Sequence, residues 1–96
     1  MAVRALEPKN FPYFDYKRYA FSLGTEGKNF VFTSGQTSSE YDDSIGKMVC
    51  RGDLAQQART AHEKLKLILE TANSDFSDVV QIVDYVSPEA GNPAFQ

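Results

Sequence analysis

Apolar side chains repeat on two different periods along this chain, and the change of period separates sheet from helix. Between residues 53 and 72, Leu54, Ala58, Ala61, Leu65, Ile68, Leu69 and Ala72 recur at steps of three and four, which gathers them on one helical face. Asp53 stands at the predicted start with Gln56 three residues on, a capping box worth about 1 kcal/mol. Asn73 follows the last periodic residue and suits the left-handed conformation that ends helices. Glu63, Lys64 and Lys66 read as a solvated outer face, with His62 at the edge of the apolar stripe.

Upstream, residues 19–24 and 29–34 are short β-rich runs separated by Thr25-Glu26-Gly27-Lys28. A polar link containing glycine between two such runs predicts a hairpin. Residues 38–52 read as a polar loop in which Lys47-Met48-Val49-Cys50 can form a brief edge strand. Downstream of the helix, VVQIVDYV (79–86) is apolar on both faces apart from Gln81 and Asp84, the pattern of an interior strand. Strand, helix, strand in this order predicts a right-handed parallel crossover and an α+β fold, with the helix over one face of the sheet. Residues 1–18 carry Pro8 and Pro12 without a steady period. They read as an extended arm whose Phe11, Tyr13, Phe14 and Tyr16 pack on the body or on a neighbouring subunit.

Composition narrows the function classes. Ninety-six residues make a single small domain, and a chain of this size buries only roughly 60–65% of its unfolded surface. A net charge of −3 without clustered Lys/Arg argues against nucleic acid or an anionic membrane as main partner, because counterion release needs such clusters. No apolar h-region opens the chain and no stretch approaches eighteen apolar residues, which predicts a cytoplasmic protein. Cys50 is the single cysteine, so an internal disulfide and a cysteine-based zinc cluster are excluded. Glu40, Asp42 and Asp43 lack calcium-loop spacing and read as a solvated acidic loop. Neither His62 nor Cys50 has a sequence-evident catalytic partner, although Arg51 beside Cys50 is of a type that lowers a thiol's pKa. None of these residues reads as a metal site.

The candidate chemistry lies in FVFTSGQT, residues 30–37. A strand here ends in Ser34, Gly35, Gln36 and Thr37. Gly35 lets a ligand lie against the peptide, and backbone N–H groups beside a hydroxyl suit a carboxylate or oxyanion. On spacing alone the same four residues make an ordinary polar turn, with Ser34 bonding its own backbone.

The longer string weighs against that. FVFTSGQT, an acidic linker and then GDLAQQARTAHEKLKLILETANSDFSDVVQIVDYV resemble the reactive-intermediate deaminase family, RidA or YjgF, over about residues 19–86. The ordered combination of Ser-Gly-Gln strand end, Gly-Asp linker, "QxRxAxEKLKxILExA"-like helix and acidic turn carries the likeness. The resemblance implies a chorismate-mutase-like fold, a mixed sheet with helices on one face, incomplete in this chain. It implies a homotrimer with small-molecule pockets at subunit interfaces and cofactor-free hydrolysis of enamines and imines, such as 2-aminoacrylate, to a carbonyl product and ammonia. By resemblance, Ser34 and Gly35 line the pocket, Gln36 and Thr37 extend its rim, and Phe21, with Tyr19 as the other candidate, takes the place of the family's pocket aromatic, commonly Tyr. Tyr85 matches a core strand position.

Two residues tied to deamination in that family, a carboxylate-clamping arginine and a water-positioning glutamate, have no match in 1–96, so the catalytic residues are unassigned. The sequence reads as a domain lacking its C-terminal part, since Gln96 follows a Pro/Gly-bearing loop at 87–94. Three origins fit: an artificial truncation, partial coverage, or a precursor cut after Gln96. In the third, a second chain supplies the rest of the fold and its new N-terminal Thr, Ser or Cys is the nucleophile of an amidohydrolase. A non-enzymatic trimeric small-ligand-binding module is the further alternative. Endoribonuclease activity, also associated with the family, conflicts with the charge.

Overall fold

In a computed structural model of the protein, the described residues are 3–19 and 21–86; the 87–94 loop and Gln96 lie outside them. Among these residues, five strands and one α-helix are formed: β1 Arg4–Leu6, β2 Gly24–Gly27, β3 Phe30–Thr33, β4 Glu40–Asp42, β5 Lys47–Val49 and α1 Leu54–Thr71. Short 3-10 turns occupy Tyr16–Arg18 and Phe76–Asp78. The strands make an antiparallel sheet in the order β1-β2-β3 and a separate β4-β5 hairpin. The α+β class follows from these elements, but among the described residues every strand pair is antiparallel, where a mixed sheet was expected.

The first hairpin forms two to three residues later than the polar link suggested. Gly27 pairs with Phe30, leaving Lys28 and Asn29 as a two-residue turn with φ of 49° and 67°. Two consecutive positive φ values match the right-handed strand twist and tighten the hairpin. Thr25, Glu26 and Gly27 therefore belong to the sheet, and residues 21–23 precede the strand. Arg4–Leu6, read as part of an extended arm, completes the sheet by pairing with β2, and Arg4 forms an ion pair with Glu26 across that pair.

The core lies between this sheet, the arm and α1. Leu6, Leu23 and Ile68 are fully buried, with Phe11 and Tyr16 beside them. The arm's aromatics pack on the body as expected: the Phe11 ring meets Tyr13, Phe14 and Tyr16 edge to face at 5.0, 5.4 and 5.7 Å, the offset geometry that ring quadrupoles favour. The Tyr16 hydroxyl donates to the Pro8 carbonyl at 2.9 Å, so the ring closes the arm over the core with its polar end satisfied. Gly24 lies where α1 crosses the sheet; a Cβ there would meet Ile68 Cγ2 at 2.8 Å. The absence of a side chain sets the distance between helix and sheet.

α1 begins at its expected box, with Asp53 accepting from the Gln56 amide and Gln56 accepting from the Asp53 amide, both at 2.9 Å. It ends at Asn73 in the left-handed region, φ 58°. Its buried face is rotated from the expected stripe. Ala58 is exposed, and Lys64 is fully buried beside Ile68 and Leu69. Lys64 thus leaves the solvated outer face assigned to it, because it sits three residues after Ala61 and four before Ile68, on the apolar side itself.

Residues 79–86 form no strand, which corrects the interior-strand reading and removes the parallel crossover. Val80 and Tyr85 are each 94% exposed, so Tyr85 is not core. An apolar run becomes a strand only with a ladder partner for its N–H and C=O groups, and 79–86 takes none among the described residues.

Candidate functional site

The exit from β3 is a hydrogen-bonded rim built by its own residues. The Ser34 amide and hydroxyl both donate to the Leu23 carbonyl, at 2.9 and 3.0 Å. Gln36 Nε2 in turn donates to Ser34 Oγ at 3.1 Å. The Ser34 hydroxyl is thereby held on both its donor and acceptor sides, bonded across the sheet rather than to its own backbone. Its chemistry is that of a fixed dipole; a nucleophile would need a base in place of the carbonyl. Gly35 comes next and is exposed, with nothing within 4 Å of where a Cβ would stand. Thr37 then folds back, its Oγ1 donating to Ser39 Oγ at 2.9 Å and accepting from the Ser39 amide at 3.2 Å.

Ser34 and Gln36 are thus joined across the open Gly35 peptide, while Thr37 is tied to Ser39. Phe21 stands apart from that hydrogen-bonded set. It ends an aromatic run in which Phe14 meets Tyr19 at 5.9 Å and Tyr19 meets Phe21 at 6.1 Å. Phe21 is 49% exposed and Tyr19 46%, and both precede Leu23, the residue whose carbonyl anchors Ser34.

Behind the rim is Lys64, absent from the sequence-derived site. Its ammonium donates to the Ser39 carbonyl and lies 5.0 and 5.2 Å from the ring centres of Tyr13 and Phe14. Burial pushes its pKa down from 10.5 to about 8, against the opposing pull of Cys50 and Glu40. Tyr13 is pushed up, first by its burial and then by Glu63, to which its hydroxyl donates at 3.4 Å. The signal that would have found Lys64 is its place on the apolar stripe.

The acidic loop is a staple. Arg51 pairs with Glu40 at 2.9 Å and with Asp42, tying the two ends of the β4-β5 hairpin. Hydrogen bonds from Ser44 and then from Arg51 hold the Asp42 carboxyl below its usual range. Arg51 is thus directed at carboxylates, and Cys50 beside it is exposed. His62 stays half-buried on the helix, its Nδ1 2.7 Å from the Ala58 carbonyl. Two shallow cavities, of about 280 and 300 Å³, lie elsewhere: one between arm and hairpin beside Tyr19 and Tyr41, the other over Phe30 and Phe32 on the outer sheet face. Neither is lined by residues 34–37.

This strand-end motif and the helix that follows lie within the span of a known family. The sequence profile of the family described as Endoribonuclease L-PSP matches residues 16–90. A RutC family protein of Pyrococcus abyssi is 36% identical over 66 residues, and another of Pyrococcus horikoshii 33% over 66 residues; each alignment covers 69% of this chain and 50% of the relative. The chain thus spans about half the length of these curated relatives. No solved structure matches it significantly. With three quarters of its residues in the family profile, the chain belongs to the Endoribonuclease L-PSP family, the RidA/YjgF group that its Ser-Gly-Gln strand end and EKLKLILE helix resemble.

Proposed function

We propose that this chain is the rim-bearing part of a Rid-type hydrolase acting on C–N bonds, an enamine or imine deaminase that gives a carbonyl product and ammonia. The observation that carries the reading is the open Gly35 peptide beside a Ser34 hydroxyl fixed to Leu23. The Gly35 peptide, unobstructed beside a strand end that the Ser34–Leu23 bonds hold in place, suits the carboxylate of a 2-imino acid. Chemistry then depends on groups opposite the rim, as in a chorismate-mutase-like homotrimer whose pockets lie between subunits. Support for assembly comes from the apolar surface left outside: Phe30 and Phe32 are 60% and 66% exposed, with stacked rings, and exposed apolar patches of this kind mark contact surfaces. No helix among the described residues is long and apolar enough to cross a membrane.

The assay is release of ammonia and keto acid from 2-aminoacrylate generated in situ. It is run on this chain alone and on this chain joined to the C-terminal half of a RutC family relative. Acceleration over buffer in the joined protein, abolished by Gly35→Trp, is the expected result. Absence of acceleration in both forms sinks the deaminase reading.

A second reading is a non-enzymatic small-ligand-binding module. It is favoured by the Ser34 hydroxyl having both its donor and acceptor sides engaged, and it predicts ligand binding without turnover. Endoribonuclease action, which the family description names, fits poorly: net charge is −3, and Arg4 and Arg51 are paired with carboxylates.

A further inference from the structure

Lys64 is the one fully buried charged side chain among the described residues. An ammonium removed from water is retained only where its protons and charge are met. Here three segments meet it: the helix that carries it, the arm through the faces of Tyr13 and Phe14, and the strand exit through Ser39, whose carbonyl accepts from Nζ and whose Oγ lies at 3.4 Å. Ser39 is bonded in turn, by amide and hydroxyl, to Thr37, and Ser38 between them is buried. A continuous path of polar contacts therefore runs from the helix core to the rim.

We propose that Lys64 is a positioning residue for the rim: through Ser39 and Thr37, its ammonium holds the backbone leaving β3 and so sets the shape of the Gly35 edge. This rests on the rim being the ligand-binding edge proposed above. The ionisable groups around the ammonium are Glu40 on β4, Cys50 after β5, and Tyr13 on the arm, whose phenol is bonded to Glu63 of α1. With the Lys64 pKa at about 8, the charge that holds Ser39 is present at neutral pH and fades above it.

The test uses the chain itself, with Lys64→Met, Thr37→Val and the double variant. Pyruvate, the keto acid the proposed reaction would release from 2-aminoacrylate, is the probe, and NMR follows its binding and amide protection together. Lys64→Met should expose the amides of residues 36–39 to exchange while those of α1 stay protected. It should weaken pyruvate by about tenfold, the scale of one charge-assisted hydrogen bond. Thr37→Val should do the same, and the double variant should lose no more than about a further twofold, since both substitutions break one path. In the unmodified chain, affinity should fall between pH 7 and 9; that dependence should vanish in Lys64→Met and persist in Cys50→Ser.

Unchanged protection at 36–39 in Lys64→Met, fully additive losses, or a pH dependence that disappears with Cys50 would each overturn the positioning role. If pyruvate binds nowhere yet protection at 36–39 falls in Lys64→Met, the positioning role stands and the reading of the rim as a ligand site fails. Should Lys64→Met not fold, Thr37→Val and the pH course of rim protection in the unmodified chain decide the matter.

Discussion

Gly24 and Ile68 are packed so closely that a methyl group on the glycine would stand 2.8 Å from Ile68 Cγ2. The same methyl would meet the Phe32 carbonyl oxygen at 3.0 Å and Leu6 Cδ1 at 3.3 Å, so it is blocked by backbone as well as by side chains. Relief requires α1 to lift from the sheet. Gly24→Ala should therefore destabilise the chain by about 1–3 kcal/mol, the usual penalty of overpacking, with a lower urea midpoint and an unchanged m-value. Ile68→Ala alone should lose more through its cavity. Combined with Gly24→Ala it should lose less than the sum, because the added methyl fills part of the vacated space.

The helix start offers a second, local test. Asp53 and Gln56 satisfy each other's amides at 2.9 Å, and Gly52 precedes them at φ 90°, a conformation that favours glycine. Asp53→Ala should cost about 1 kcal/mol in thermal or urea unfolding. Asp53→Asn, which keeps the accepting oxygen, should restore most of it. Equal losses in both would show that the carboxylate charge, rather than the cap bond, does the stabilising.

How much of this was legible in the sequence depends on how local the cause is. The helix was, because Asp53, Gln56 and Asn73 act within a few residues of themselves. The hairpin was legible as an element but displaced: the β-rich look of Tyr19 and Phe21 drew the strand upstream, while the turn was settled by Lys28 and Asn29 adopting positive φ. β1 escaped notice because three residues, Arg4–Leu6, carry too short a pattern, and only pairing with β2 makes them a strand. The 79–86 run shows the reverse: its apolar pattern is strong, but a ladder needs a partner that the described residues do not provide. At the candidate site, the motif singles out Ser34 to Thr37, but the Leu23 carbonyl that fixes Ser34 and the ammonium behind Ser39 arise from long-range contacts. Lys64 was misassigned because its residue type outweighed its helical position.

The Ser34 bonds can be weighed against a simple turn. Ser34→Ala removes the hydroxyl that reaches the Leu23 carbonyl and that receives Gln36 Nε2, but leaves the amide bond to the same carbonyl. The stability loss should be about 1 kcal/mol, and Gln36 should lose its fixed side-chain NMR shift. A loss near zero with Gln36 unmoved would reduce Ser34 to an ordinary solvated turn residue.

Lys64 also makes stability depend on pH in a direction opposite to the usual alkaline loss. Its pKa lies at about 8 in the folded chain against the ordinary 10.5, so between these values the unfolded chain holds the extra proton. Stability rises with pH wherever the unfolded state binds more protons. The cost of burying the ammonium is therefore fully present below about pH 8 and lifted progressively towards pH 10.5. Tyr13 works in the other direction, since its raised pKa keeps the proton in the folded state and lowers stability above about pH 10. The clean window is thus pH 8 to 10, where urea unfolding should show a gain on the order of 2 kcal/mol. Lys64→Met removes the titrating group and should flatten that slope, with stability at neutral pH equal to or above that of the unmodified chain, as when a buried charge is replaced by an apolar side chain of similar length. A slope that survives in Lys64→Met would assign the titration to another group and show that the buried ammonium is not what the fold pays to keep.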